Sequence, residues 1–199
     1  MELFFAALLG FFAGSIPFGL ILTKAAGLGD VRDIGSGSIG ATNVLRTGNK
    51  GLALATVLLD AAKGVVPVLI ATRLYPGFEG IAGVFAVLGH CYTPWLRFKG
   101  GKGFATAAGV CGALAWPIML LAAVIWAATI AITRTSSIAS LTAVSFAPVL
   151  AIAAPLVGLP EYGIYFLPLL AIQVIVFIKH NENIKRILSG KEPKIGGAK

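Results

Sequence analysis

Long apolar stretches separated by short polar ones dominate this sequence. The apolar stretches, which carry no charge apart from Asp60 and Lys63 in the second, cover residues 3–23, 51–72, 80–96, 103–133, 135–160 and 162–178. A membrane-spanning helix needs about 20 apolar residues to cross roughly 30 Å of hydrocarbon. The pattern therefore predicts six spans if 103–133 forms one helix, and seven if it forms two.

The run 103–133 is divided near its middle by Trp116-Pro117, and a proline ends or kinks a helix there. Basic residues favour the cytoplasmic side of a membrane protein. With seven spans and the N-terminus outside, every basic residue except Lys63 and Arg73 falls on the inner side. Six spans would place the basic tail and the first basic loop on opposite faces. We therefore predict an all-α, polytopic membrane bundle of seven transmembrane helices, with the C-terminus inside.

This arrangement gives one integral membrane domain over residues 1–199. Its cytoplasmic segments are the inner loops 24–50, 97–103 and 133–137 and the tail 179–199. Because 103–133 is too short for two full crossings and a turn, either both helices are short or one begins below the membrane surface. Irregular backbone at that depth must be buried in protein or line a wet cavity. We expect the loop Lys99 to Gly103 to dip into a cavity open to the cytoplasm.

Composition excludes several other classes of protein. Of the 199 residues, 57% are hydrophobic and 12% are charged, whereas a soluble domain carries about 25% charged residues. A disordered chain, a secreted disulfide scaffold and a cytosolic enzyme are thereby excluded. The net charge is +8, but the cations lie between apolar runs rather than along one face, which argues against nucleic acid. The spacing of Cys91 and Cys111 indicates unpaired thiols rather than metal ligands.

The first inner loop, Gly35 to Arg46, combines glycines, hydroxyls and a terminal arginine. Glycines allow successive N–H groups to converge on an anion, and hydroxyls and a guanidinium add donors. A flexible loop rich in turn residues is the simpler alternative, and no strand precedes the G-x-G-x-x-G string to support dinucleotide binding. We favour an anion site, and its candidate residues are Ser36, Gly37, Ser38, Gly40, Ala41, Thr42, Asn43 and Arg46.

The second inner loop carries Gly100, Gly101, Lys102 and Gly103 just before a predicted helix. Its spacing excludes a Walker A loop. Glycines that open a helix still offer free N–H groups, the positive end of the helix dipole and an ammonium together. A basic loop that only fixes topology would explain Arg97 and Lys99, but not three glycines around Lys102. We interpret His90, at the start of this segment, as a packed histidine rather than a ligand.

The remaining candidates lie in the last inner loop, in the tail and within the second span. His180 and Asn183 lie one turn apart if the last helix continues through them. Lys185 is assigned to substrate, although it and its neighbour Arg186 could equally contact anionic lipid. Ser137 lies in the inner loop 133–137, near enough to the other inner segments to add a hydroxyl donor. Asp60 and Lys63, at i and i+3, can form an intrahelical pair, and their role is either functional or a clamp between helices.

The three inner segments share glycines, hydroxyls and cations, with few carboxylates and no metal-ligating cluster. That chemistry suits phosphate groups, and an adjacent apolar cavity suits an acyl chain. These segments resemble the bacterial acyl-phosphate:glycerol-3-phosphate acyltransferases, the PlsY family. Gly35–Arg46, His90–Thr106 and His180–Glu192 are similar to its three motifs in order, and Asp60-x-x-Lys63-Gly64 also fits. Ser38 stands where asparagine is expected, Phe104 stands where valine is usual, and Tyr92-Thr93-Pro94 departs slightly.

The resemblance implies that an acyl group passes from acyl phosphate to the 1-hydroxyl of sn-glycerol 3-phosphate, the first acylation of bacterial phospholipid synthesis. It implies a multi-pass protein of the plasma membrane with its active site facing the cytoplasm, and no cofactor, metal or obligate protein partner. Catalytic roles fall to Ser36, Arg46, Lys102, His180 and Asn183. The other candidates, Gly37, Ser38, Gly40, Ala41, Thr42, Asn43, Gly100, Gly101, Gly103, Ser137 and Lys185, bind substrate.

The proton acceptor stays open between His180 and the substrate's own phosphate. The His-x4-Asp pair of acyltransferases that use soluble donors is absent, because Trp95 and Lys185 occupy the fifth positions after the two histidines. A membrane transporter of an organic phosphate is the alternative function. It needs access from both sides, which the grouping of all three motifs on one side disfavours. A purely structural membrane subunit would leave the motifs unexplained.

Overall fold

The computed structural model describes residues 1–195, and those residues form helices with no β-strand among them. The α-helices are α1 (Glu2–Gly14), α2 (Phe18–Ala25), α3 (Ala41–Val44), α4 (Lys50–Leu74), α5 (Glu79–Cys91), α6 (Phe104–Leu114), α7 (Trp116–Thr133), α8 (Ser136–Ala153), α9 (Phe166–Lys179) and α10 (Asn181–Leu188). The predicted all-helical fold is confirmed. Residues 196–199, the end of the predicted inner tail, lie outside the described residues.

Five segments within residues 1–195 are long and apolar enough to cross a membrane. They are Glu2–Ala25, Lys50–Leu74, Trp116–Thr133, Ser136–Val157 and Pro160–Lys179. Helix α5 has 13 residues and α6 has 11, so α6 rises only about 16 Å. The expected division at Trp116 is confirmed, because α6 ends at Leu114 and α7 begins at Trp116. The count of seven spans stays a prediction that depends on these two short helices.

The sequence suggests that the first apolar run is one uninterrupted helix, but in the structure it is not. It breaks between α1 and α2, where Pro17 lacks the N–H that a continuous helix requires. Two side chains from the turn after α5 occupy this break: the Thr93 hydroxyl donates to the Ser15 carbonyl over 2.6 Å, and Trp95 Nε1 donates to Ser15 Oγ over 2.9 Å. The break therefore joins the first span to the second inner loop.

Small residues let the helices approach closely. A Cβ at Gly14 of α1 would overlap the backbone of Ala86 in α5, and a Cβ at Gly64 of α4 would overlap the backbone of Thr106 in α6. Membrane helices associate through such close packing, because lipid supplies no hydrophobic force between them. These contacts hold α5 and α6 against α1 and α4, and thereby fix the loop that joins α5 to α6.

The apolar core lies between α4, α5, α6, α8 and α9. Its largest fully buried members include Val68, Val87, Val110, Leu169, Ile172 and Val176, and the free cysteines Cys91 and Cys111 are buried beside them. Helix α7 instead exposes Leu120, Val124 and Ile132. A contiguous apolar face of this kind fits contact with lipid.

Candidate active site

Asn43 organises the first inner loop from within. Its amide nitrogen donates to the carbonyl oxygens of Val31 over 2.7 Å, Ser38 over 2.8 Å and Ile34 over 3.1 Å, and its Oδ1 accepts from the Ser36 N–H over 3.0 Å. The side chain is buried, and its polar atoms are used inside the loop. These bonds give Asn43 a positioning role in the loop, and its expected direct contact with substrate stays a prediction.

The predicted donors of this loop remain accessible. Gly35 and Gly37 adopt left-handed backbone with φ of 57° and 65°, and the missing side chain at Gly35 leaves room for the Arg46 guanidinium. Ser36 and Arg46 are exposed, and Arg46 forms no ion pair within residues 1–195. The loop therefore presents an exposed hydroxyl at Ser36 and, packed against the neighbouring Gly35, a guanidinium that has no ion pair within the described residues.

The other small residues of this loop shape its end. Ser38 Oγ accepts from the Gly40 N–H over 3.3 Å, and the short helix α3 begins at Ala41. The hydroxyls of Thr42 and Ser136 lie 3.5 Å apart. Because Ser136 opens α8, this contact brings the first inner loop to the start of the helix that also carries Ser137.

The sequence predicts free N–H groups in the glycine loop before α6, but two of them bind carbonyls of α5. The N–H of Gly100 donates to the Cys91 carbonyl over 3.2 Å, and the N–H of Gly101 donates to the His90 carbonyl over 3.1 Å. These two groups are therefore not free to bind phosphate, because the last carbonyls of α5 have no partner within their own helix and take them. A Cβ at Gly101 would overlap the His90 imidazole. Gly103, with φ of 84°, stands directly before α6.

Lys102 lies at the centre of the candidate site. Burial lowers the pKa of its ammonium, Glu192 opposes that effect, and the positive charges of Arg186 and Arg46 add to it. Lys102 forms no ion pair within the described residues. Three cations from three separate inner segments thus act on one another, which is the arrangement that a polyanionic ligand would neutralise.

His180 and Asn183 contribute hydrogen-bond acceptors. His180 Nδ1 donates to the Val176 carbonyl over 2.8 Å, because a carbonyl can only accept, and this leaves Nε2 with a lone pair. Burial lowers the pKa of His180 to about 4, so the ring is neutral at pH 7. Asn183 is buried, and its Oδ1 has no partner within the described residues. Both acceptors suit a hydroxyl group of a substrate.

Glu192 was missed by the sequence analysis as a site residue. Its Oε1 accepts from Ser137 Oγ and from Asn183 Nδ2, both over 2.6 Å, and its Oε2 accepts from Arg186 Nε over 2.7 Å. Burial alone would raise the pKa of Glu192, but these three donors hold that pKa below its usual value. The carboxylate therefore fixes α8, α10 and the tail to one another at the site.

Arg186, not Lys185, is the basic residue of α10 that faces the site. Lys185 pairs with Glu182 over 2.9 Å on the exposed side of the helix, so its expected contact with substrate stays a prediction. The helical spacing could have indicated Arg186, because His180, Asn183 and Arg186 recur every three residues and share one face.

A buried charge cluster lies behind the glycine loop. The expected Asp60–Lys63 pair is confirmed, with Lys63 Nζ 2.7 Å from Asp60 Oδ1. Lys63 Nζ also donates to the Ile16 carbonyl over 2.7 Å at the break in the first span. His90 is buried, as expected of a packed histidine, and its Nδ1 lies 3.7 Å from Asp60 Oδ1. This cluster connects α4 to the helix break and to His90, against whose imidazole Gly101 packs.

Comparisons with known proteins match the chain to one family. The family model described as glycerol-3-phosphate acyltransferase matches residues 4–190. The glycerol-3-phosphate acyltransferase of Erythrobacter litoralis is 55% identical over 191 residues, covering 96% of this chain and 94% of that protein. That of Mesorhizobium japonicum is 55% identical over 194 residues, covering 98% and 96%.

Two solved structures share the fold. The glycerol 3-phosphate form of PlsY, an integral membrane glycerol 3-phosphate acyltransferase, superposes with a TM-score of 0.88 at 34% identity, covering 98% of this chain and 96% of that one. Its lysophosphatidic acid form gives 0.86 at 32% identity, covering 98% and 95%. The family match over nearly the whole chain and the shared membrane fold outweigh the transporter alternative. The chain belongs to the family of integral membrane glycerol-3-phosphate acyltransferases.

Proposed function

We propose that this enzyme takes its acyl group from acyl phosphate and transfers it to the 1-hydroxyl of sn-glycerol 3-phosphate, releasing 1-acyl-sn-glycerol 3-phosphate and phosphate. The observation that carries this proposal is the grouping of three features: an Asn183 Oδ1 that is buried and has no partner within residues 1–195, a neutral His180, and the cations around Lys102. The acceptors suit the glycerol hydroxyl, and the cations suit two phosphate groups.

In the proposed reaction, the hydroxyl oxygen attacks the acyl carbonyl carbon, and the bond from that carbon to the phosphate oxygen breaks. The mixed anhydride is already activated, so placement and charge stabilisation are the main tasks of the enzyme. Lys102 stabilises the leaving phosphate, while Ser36 and Arg46 bind phosphate oxygens. Gly37, Ser38, Gly40 and the Gly103 N–H support these contacts.

The hydroxyl proton has two candidate acceptors. One is His180 Nε2, whose lone pair is free because Nδ1 donates to the Val176 carbonyl. The other is the substrate's own phosphate, whose second pKa is about 6. A histidine whose pKa is about 4 is a weak base, and this favours a role for His180 in orienting the hydroxyl while the phosphate takes the proton.

We further propose a plasma-membrane location with seven spans, the N-terminus outside and the active site facing the cytoplasm. Cysteines introduced at Thr47 and Lys99 in a background lacking Cys91 and Cys111 should react with an impermeant reagent from the cytoplasmic side. A cysteine at Glu161 should react from the other side. Labelling of the first two positions from opposite sides would exclude a shared pocket.

The donor is tested with purified protein in detergent, acyl phosphate and labelled glycerol 3-phosphate, with lysophosphatidate as the product measured. Acyl-CoA and acyl-carrier-protein thioesters serve as donor controls, and product formed only from them would refute the assignment. Lys102→Ala should abolish most turnover, whereas the matched variant Lys185→Ala should not, because Lys185 lies on the exposed side of α10. Normal turnover in Lys102→Ala would remove its leaving-group role.

A further inference from the structure

A cationic cavity lies beside the candidate active site and is lined by other residues. It has a volume of about 670 Å³ and includes Lys24, Arg32, Arg97 and Lys99 among its lining residues. None of these four residues belongs to the group around Lys102, His180 and Asn183. Cavities that bind small molecules commonly measure about 300–1,000 Å³, so this one is large enough for a ligand of that kind.

The positive charge of this cavity is only partly balanced. Asp30 pairs with Arg32 over 2.6 Å and with Lys24 over 3.6 Å. Arg97 and Lys99 form no ion pair within residues 1–195, and both are exposed. Asp33 also acts on Arg32 through its charge, so the two carboxylates near the cavity act on Lys24 and Arg32, whereas Arg97 and Lys99 have no ion-pair partner within the described residues.

The rest of the lining is apolar: Pro17 and Leu20 belong to the first span, and Trp95 and Leu96 belong to the turn after α5. Pro17 marks the helix break, Leu20 follows it on α2, and Lys24 stands near the end of that helix. At 1.5 Å per residue, the cavity extends about 10 Å along α2, from the interior of the span to its end. Trp95 lines the same cavity and is 63% exposed. An exposed indole beside cations is typical of the membrane–water interface.

We propose that this cavity binds the phosphodiester headgroup of an anionic phospholipid. The headgroup contacts Arg97 and Lys99, and the first part of the acyl chains lies against Leu20 and Trp95. A soluble phosphate ion would use the cations but would leave the apolar part of the cavity empty, so a lipid fits the whole cavity better. Basic pockets between membrane helices bind such headgroups elsewhere.

The backbone at this site is consistent with a ligand contact that holds the loop. Arg97 and Phe98 both adopt left-handed conformations, with φ of 52° and 61°, which is costly for residues other than glycine and concentrates at functional positions. The same loop continues to Lys102. A bound lipid would therefore hold the outer part of the loop whose inner part faces the substrates.

The test uses the delipidated full chain in neutral detergent and native mass spectrometry to measure binding of phosphatidylglycerol and phosphatidylcholine. The double variant Arg97→Gln/Lys99→Gln removes the unpaired cations. The control, Lys50→Gln/Arg73→Gln, makes the same change in net charge at two exposed basic residues that do not line the cavity. Each cation near a membrane surface contributes roughly fivefold to lipid affinity, so the cavity variant should bind phosphatidylglycerol about 30-fold more weakly.

Three results would overturn the proposal: wild-type protein that binds both lipids equally, a control variant weakened as much as the cavity variant, or a lipid displaced by millimolar inorganic phosphate. The last result would identify a site for soluble phosphate. The comparison of the two lipids and the displacement by phosphate both use wild-type protein, so they test the proposal even if the double variant fails to fold. Because binding is measured directly, failure of the acyl-phosphate assay would not affect the outcome.

Discussion

Removal of Lys63 should be among the most destabilising single substitutions in this protein. Its ammonium lies 2.7 Å from Asp60 Oδ1, and the two side chains are only 3% and 2% exposed. Lys63→Met leaves a buried carboxylate without its partner, which costs about 3–5 kcal/mol. Loss of the bond to the Ile16 carbonyl adds about 1 kcal/mol. For a chain of this size, the first cost alone corresponds to a melting temperature lower by about 6–20 °C.

The double variant Asp60→Leu/Lys63→Met should recover most of this loss, because replacing both members of a buried pair by apolar residues is often close to neutral. Unfolding in detergent, followed by tryptophan fluorescence, measures the change in free energy for the single and double variants. Lys50→Met, an exposed lysine on the same helix, is the control and should melt as wild type does. A single variant as stable as wild type, or a double variant no better than the single one, would refute the reasoning.

Three further predictions concern the site itself. Gly101→Ala should lower kcat/KM about 100-fold, because the added methyl group overlaps the His90 imidazole and misplaces the loop. Adding His90→Ala to this variant should restore part of the rate. If His180 accepts the proton, kcat should fall only as pH drops through about 4, where the ring becomes protonated. A decrease of kcat near pH 6 that persists in His180→Gln would instead assign the proton to the substrate phosphate. Arg186→Gln should raise KM for glycerol 3-phosphate about tenfold, because the substrate phosphate loses a charge-assisted bond to the guanidinium. Lys185→Gln should leave that KM unchanged.

The apolar pattern predicts most of the fold because each span must bury its own backbone polar groups in helical bonds. The break at Trp116 follows from the sequence, since Pro117 cannot donate within a helix. The break at Pro17 has the same local cause but depends on distant partners. Thr93 and Trp95 satisfy Ser15 there, and no local pattern shows that those residues approach the first span.

The candidate site was predicted in its parts but not in its internal contacts. Glycines, hydroxyls and cations mark the candidate segments, because their chemistry is visible in the sequence. The choice between Lys185 and Arg186 depends on which face of α10 packs inward, and that is decided by Glu192, which reaches back from beyond the end of the helix. Likewise, the Gly101 N–H is taken by a carbonyl of α5, a contact set by tertiary packing.

The buried charges and Lys102, the proposed catalytic cation, belong to one continuous arrangement. Lys63 and Asp60 hold each other in α4, His90 lies beside Asp60, and Gly101 rests against the His90 ring with Lys102 directly after it. An ion pair inside a membrane is expensive, so it persists where it serves function or specificity. Here its position accounts for why a glycine precedes the lysine, because a Cβ at position 101 would overlap the His90 imidazole. The location of Lys102 therefore depends on side chains buried behind the loop that carries it.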